Sequence, residues 1–292
     1  MGEPATNRDA VVITGASTGI GRAAALHLAA KGLRVLAGVR KTSDGEAVVN
    51  TFAAEKLTGA GSIEPLVIDV ADGDSISRAV GEVGERLGGS RLAGLVNNAG
   101  IALGGPQEHL ALSEWRRQFE VNVFGLVDVT QRLLPHLLAS RGRVVNISSM
   151  GGKVSTPFMA PYSASKFAVE AITDALRMEL APFGVWAACV EPGAVKTEIW
   201  KKGDELIAER KAALPAGAHQ RYAELMIAME KFTASAARNG VDAIKVARAI
   251  EHALLARRPR TRYPVGPDAR VGMFLRWLLP DRMFEWLLRK AM

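Results

Sequence analysis

Tyr162 and Lys166 stand four residues apart in the run Tyr-Ser-Ala-Ser-Lys, and Ser149 lies thirteen residues before the tyrosine. A phenol has an unperturbed pKa of about 10, so at neutral pH it exchanges protons slowly unless something favours the phenolate. Residues at i and i+4 of a helix share a face, which predicts the Lys166 ammonium near the Tyr162 oxygen and a lowered phenol pKa. A serine hydroxyl at the same point would bind the oxygen of an alcohol or carbonyl. The spacing therefore points to proton transfer at a C–O bond. The plain alternative is an exposed helix carrying a Tyr and a Lys without chemical purpose, and the neighbouring motifs decide between the two.

Those side chains need a scaffold. Residues 10–14, 34–39, 64–70, 92–96, 143–147 and 185–190 are short apolar runs, rich in β-branched residues. They alternate with helical stretches at 22–31, 74–87, 113–139 and 242–255, and the Tyr162 helix falls between the fifth and sixth runs. Strands apolar on both faces and separated by helices predict a doubly wound α/β fold, a parallel sheet covered on both sides. Residues 198–238 are Met- and Ala-rich, helical by composition and interrupted by Gly203, Pro215 and Gly217. Ligands of an open α/β sheet sit beyond the carboxyl ends of its strands, so an insertion at about 198–240 is placed to form a substrate lid; the alternative is a helical packing layer.

Between the first run and the first helix lies Gly15-Ala-Ser17-Thr-Gly19-Ile20-Gly21. Glycines there let backbone amides and the positive end of a helix approach a pyrophosphate. The spacing is GxxxGxG rather than GxGxxG, which predicts a longer turn. The same residues spell GxSxG, the pattern of a hydrolase nucleophile elbow at Ser17. That reading needs a downstream acid and histidine, finds His219 and His252 in no recognisable setting, and leaves Tyr162 and Lys166 idle.

The chain has 292 residues, 48% of them hydrophobic, and a net charge of +7. That is enough to bury one large core, and a single domain over 1–292 is expected. No leading apolar stretch resembles a signal peptide and no window reaches membrane-span length, so a cytoplasmic location is expected. The single cysteine, Cys189, reads as a small buried hydrophobe. The five histidines show no metal spacing, so no metal site is predicted. The positive charge is concentrated at 257–262 and in the tail, where it is expected to be solvated; without a recognition motif it does not predict nucleic-acid binding.

Taken together, residues 14–21, Asp69, Asn97-Asn98-Ala99-Gly100, Asn122, Ser149, residues 162–166 and Pro192-Gly193 resemble, in identity and order, the short-chain dehydrogenase/reductase family. The resemblance spans about residues 10–200. It implies a Rossmann-type parallel sheet of about seven strands with helices on both faces, carrying NAD or NADP. By position, Gly15, Ser17, Gly19, Ile20 and Gly21 resemble the pyrophosphate turn, and Asp69 and Val70 the adenine contact. Asn97, Ala99 and Gly100 resemble the segment beside the cofactor, and Pro192, Gly193, Val195 and Thr197 the nicotinamide loop. Tyr162 would exchange the proton, Ser149 would hold the substrate oxygen, Lys166 would also bind the nicotinamide ribose, and Asn122 would hold a water linking Lys166 to solvent.

NAD-dependent members carry a carboxylate at the end of the second strand; here Val39 is followed by Arg40 and Lys41. Positive charge there suits a 2′-phosphate, so NADP(H) is the predicted cofactor, with NAD(H) as the alternative. The 34–37, 95–100 and 143–147 segments look most like the hydroxysteroid and retinol dehydrogenase branch. With the apolar residues Ile199, Trp200, Leu206, Leu214, Leu225, Met226, Met229 and Phe232 they imply a lipophilic substrate; a small polar ketone is the alternative. A cofactor-sensing protein without turnover is the non-enzymatic alternative, although such relatives typically lack the tyrosine or the lysine. The resemblance also implies a homo-oligomer. The amphipathic tail at 268–292 could lie on an anionic membrane surface, but such stripes more commonly dock on their own protein or a neighbouring subunit.

Overall fold

The computed structural model describes residues 9–55, 61–197 and 214–291. Nine strands form among the described residues: β1 (Ala10–Ile13), β2 (Arg34–Val39), β3 (Ser62–Val67), β4 (Leu92–Asn97), β5 (Arg143–Ile147), β6 (Trp186–Pro192), β7 (Val195–Lys196), β8 (Val241–Asp242) and β9 (Arg262–Val265). Seven of them make one parallel sheet in the order β3-β2-β1-β4-β5-β6-β9, while β7 and β8 form a separate parallel pair. Strand order reverses between β1 and β4, and that reversal opens a crevice beyond their carboxyl ends. Pro65 is accommodated in β3 because β3 is an edge strand.

Ten helices accompany the sheet among the described residues: α1 (Gly19–Ala30), α2 (Thr42–Ala54), α3 (Gly73–Leu87), α4 (Leu112–Phe119), α5 (Gly125–Ser140), α6 (Ala160–Leu180), α7 (Ala216–Asn239), α8 (Ala243–Leu255), α9 (Pro267–Leu278) and α10 (Asp281–Ala291). Successive strand residues point to opposite faces, so each strand feeds two cores. On one face Val11, Ile13, Val96 and Val190 pack with Ala25 and Leu28 of α1 and Val246 and Ile250 of α8. On the other, Val12, Leu36, Leu95 and Val144 pack with Ile76 and Val83 of α3 and Val129 and Leu133 of α5.

Three expectations are corrected in detail. The third strand ends at Val67, so Asp69 and Val70 lie in the turn that follows it. The helix expected over 113–139 is α4 and α5 joined by a π turn, Glu120–Phe124. A π turn widens the backbone locally, and this one carries Asn122. The basic stretch 257–262 is not wholly solvated: Arg262 lies in β9, with Nε 3.0 Å from Glu170 and a second ion pair to Asp174.

A buried side-chain ladder ties helices to the sheet. Asn97 Nδ2 donates to Asn146 Oδ1 at 2.8 Å and to Thr130 Oγ1 at 2.9 Å, and Asn146 Nδ2 donates to Thr173 Oγ1 at 2.8 Å. These bonds join β4 and β5 to α5 and α6, so the position of α6 is specified by hydrogen bonds as well as packing. Among the described residues no helix is long and apolar enough to cross a membrane. The tail folds as α9 and α10, with Trp277 80% and Trp286 57% exposed.

Candidate active site

The glycine turn is held open by its neighbours. Gly15 has φ +66° and Gly19 φ +56°, in the left-handed region where a side chain is strained. A Cβ on Gly15 would lie 2.8 Å from Ala99 Cα, and one on Gly21 would run into the Gly15 carbonyl. Thr14 Oγ1 accepts from the amides of Asn98 and Ala99, each at 3.0 Å, while Asn98 Nδ2 donates to the carbonyls of Thr14 and Gly15 at 3.0 and 2.9 Å. The turn after β1 and the segment after β4 are thus one bonded unit. Thr18, at the start of α1, makes no side-chain cap bond, which leaves first-turn amides for an anion. A turn packed too closely for a Cβ, with first-turn amides left without a side-chain cap, fits a dinucleotide pyrophosphate.

Around it lie the other positions expected to meet the cofactor. Ser17 and Ile20 are partly buried in the turn, with Ile20 packed on the core. Val39 is buried at the end of β2, and Arg40 and Lys41 after it are exposed. Val70 is buried, and the Asp69 carboxylate accepts from the Ala71 amide at 3.0 Å. Asn97 and Val195 are buried, and Gly100 lies where a Cβ would be 3.3 Å from Asn122 Oδ1 and 3.7 Å from Lys166 Nζ. Pro192 ends β6, Gly193 follows, and a Cβ on Gly19 would be 3.3 Å from the Thr197 methyl, so this loop reaches back to the glycine turn.

Tyr162 sits in the first turn of α6, where Pro161 helps start the helix. The phenol shares a hydrogen bond with Ser149, whose Oγ also accepts from the Gly151 amide at 3.0 Å and lies 3.4 Å from the Pro192 carbonyl. Lys166 is buried, donates to the Ile147 carbonyl at 2.8 Å and lies with Nζ 5.8 Å from the centre of the Tyr162 ring. Its ammonium therefore lies near the ring and is bonded to the sheet. Burial pushes the Tyr162 phenol above its ordinary pKa, and the bond from Ser149 only partly offsets this. The phenol is therefore raised where a lowering was expected, with burial as the cause. Burial likewise lowers the Lys166 pKa to about 8, against the opposing pull of Cys189 and Glu170.

Asn122 is buried and fully engaged. Its Oδ1 accepts from the Ile101 amide at 2.9 Å, and its Nδ2 donates to the Ile101 carbonyl and to Ser165 Oγ, each at 3.0 Å. The side chain clamps the 101 loop to α6. α7 packs on the loops around 108 and 158: Arg221 and Tyr222 bond the Glu108 carboxylate at 2.5 and 2.9 Å, and the Tyr222 ring meets Phe158 edge-on at 5.9 Å. The first part of the expected lid, 198–213 with Ile199, Trp200 and Leu206, lies outside the described residues.

The short chain dehydrogenase family model matches residues 9–206. The chain belongs to the short-chain dehydrogenase family. It is 38% identical over 284 residues to the NADPH-dependent 3-dehydrocapnine reductase of Ornithobacterium rhinotracheale, covering 96% of this chain and 95% of that protein. It is 38% identical over 297 residues to human retinol dehydrogenase 16, covering 95% and 88%. A short-chain dehydrogenase/reductase from Burkholderia phymatum solved with NAD superposes with a TM-score of 0.77 at 26% identity, covering 93% of this chain and 94% of that one. This short-chain dehydrogenase is accordingly an oxidoreductase. The hydrolase reading of Ser17 lapses with it.

The sequence reading missed several supporting residues. Asn98 stood in a motif taken as a block, and its separate duty of bridging two loops has no local signal. Asn146 and Thr173 read as ordinary strand and helix residues. Glu170 and Glu191 are buried beside Lys153 and Arg262, where burial and then the charge of Glu170 hold the Glu191 carboxyl well above the usual carboxylate range.

Proposed function

We propose that this short-chain dehydrogenase interconverts a lipophilic alcohol and its ketone or aldehyde with NADP(H), through Tyr162, Ser149, Lys166 and Asn122. The observation that carries the reading is the bonded pair of Ser149 and Tyr162 hydroxyls, with Lys166 one turn along α6 and next to the glycine-lined crevice. The nicotinamide dinucleotide, when bound, supplies or takes up the hydride. Ser149 Oγ and the Tyr162 phenol together hold the substrate oxygen, the one orienting it and the other exchanging its proton. A phenol raised by burial is protonated at neutral pH and is suited to giving its proton to the oxygen of a carbonyl. Lys166 places a cation beside the crevice, fit for ribose hydroxyls, and Asn122 fixes the 101 loop against α6, where a water would connect Lys166 to solvent.

The NADP(H) preference is supported by exposed Arg40 and Lys41 where a carboxylate would otherwise stand, and by the name of the 3-dehydrocapnine reductase. Likeness to a retinol dehydrogenase and the Leu225, Met226 and Met229 stripe of α7 support a lipophilic substrate, with α7 as its lid. Exposed Phe124 lines a shallow apolar hollow beside α4, and Leu126, Leu134, Ile172 and Leu176 line a second between α5 and α6, which supports a homo-oligomer joined through that side.

Tyr162→Phe tests the reading. Turnover with a panel of steroids, retinoids and aliphatic alcohols, followed at the reduced-nicotinamide band, is expected to fall by about 10²- to 10⁴-fold with cofactor Kd unchanged. A variant that kept substantial kcat would end it.

A further inference from the structure

Asp268 is the second residue of α9, and its carboxylate turns back onto the loop after β6. Oδ2 accepts a hydrogen bond from the Ala194 amide at 2.6 Å, across 74 residues of chain. Two glycines make room for it: a Cβ on Gly193 or on Gly266 would collide with the carboxylate. Backbone grips the same loop from both sides. Gly193 N donates to the Val265 carbonyl of β9, and Val241 N of β8 donates to the Ala194 carbonyl, each at 2.9 Å. Beyond these bonds the loop runs through Val195 to Thr197, which closes on Gly19.

An aspartate in the first turn of a helix is ordinarily a favourable charge at the positive end of the dipole and nothing more. Here it adds a charge-assisted tertiary bond to a backbone amide, the stronger kind of hydrogen bond, at the one point where the loop leaves the sheet. The helix also touches the other half of the site, because a Cβ on Gly272 would lie 3.1 Å from Met150 Sδ, next to Ser149.

We propose that Asp268 is a positioning residue for the cofactor: by accepting from Ala194 N it fixes the 193–197 loop in the shape that receives the nicotinamide end of the dinucleotide. This rests on the reading of the crevice as a dinucleotide site given above. Loss of the acceptor leaves the loop with backbone bonds alone, and the cost appears in cofactor affinity because binding must then reorder it.

The test uses the full chain with Asp268→Ala and Asp268→Ser, which take the accepting oxygen out of reach, and Asp268→Asn, which keeps one. Kd for NADPH and NADH is read from reduced-nicotinamide fluorescence, beside the thermal midpoint and the kcat and KM for the cofactor. Ala and Ser are expected to raise Kd about tenfold, and Asn no more than about threefold. The thermal midpoint should stay within a few degrees and kcat should change less than KM. Should the Ala chain not fold, the Ser chain decides. Ala or Ser variants binding within about twofold of the parent would overturn the assignment, as would an Asn variant as weak as Ala. A parent chain that bound neither dinucleotide would instead overturn the dinucleotide reading, and this inference with it.

Discussion

Lys166 shows how a single side chain serves chemistry at the expense of stability. It is buried, with one carbonyl partner, and its pKa is lowered to about 8 by desolvation. Between that value and the free value near 10.5, the unfolded chain holds more protons than the native one, so native stability rises with pH across this window. Urea unfolding of the cofactor-free chain against Lys166→Met is expected to show the parent gaining up to about 3 kcal/mol relative to the variant from pH about 7.5 to 10.5. A flat difference would mean that Lys166 is solvated. Arg40 is exposed at the end of β2, and Arg40→Ala is expected to lower the kcat/KM ratio of NADP(H) to NAD(H) about tenfold. An unchanged ratio would place the source of any preference elsewhere. Residue identities and order were legible in the sequence, since Tyr162, Lys166 and Ser149 announce themselves by spacing. The placement of the ammonium was not, because helical periodicity says which face Lys166 occupies and nothing about the Ile147 carbonyl that captures it.

At the scale of elements, strand and helix order follow from apolar runs and glycine punctuation, and these were readable along the chain. The break between α4 and α5 was not, because a π turn alters one turn of hydrogen bonding and Glu120–Phe124 holds neither Gly nor Pro to mark it. The Asn97–Asn146–Thr173 ladder was equally hidden: polar residues inside apolar strands become meaningful only when register sets them side by side. Asn146→Ala removes the donor to Thr173 and an acceptor for Asn97. Urea denaturation is expected to show a loss of about 1–3 kcal/mol. Because α6 carries Tyr162, kcat should fall while cofactor Kd holds, since the glycine turn is braced separately by Asn98. A variant of parental stability would show that packing alone sets α6.

Over the whole molecule, a parallel sheet covered on both faces was foreseeable from the alternation of strands and helices, but β9 was concealed in a stretch that reads as charge. Arg262 explains why: its guanidinium meets Glu170 and Asp174, which come from α6 and cannot be seen from its own neighbours. Beyond β9 the tail divides into two parts. A chain ending after Leu279 keeps Asp268 and loses α10, so fluorescence titration is expected to give a cofactor Kd within about twofold of the parent. A large loss would make α10 part of the cofactor scaffold.

The register of β9 on β6 also has a bearing on biosynthesis. Translation makes the glycine turn of residues 15–21 well before the segment that holds Gly193 and Ala194, and that segment follows Ala194 by about seventy residues. On the ribosome, early strands emerge and pair while the exit tunnel still shelters the end of the chain. The loop after β6 therefore lacks its Asp268 acceptor until the chain 74 residues further on has been made.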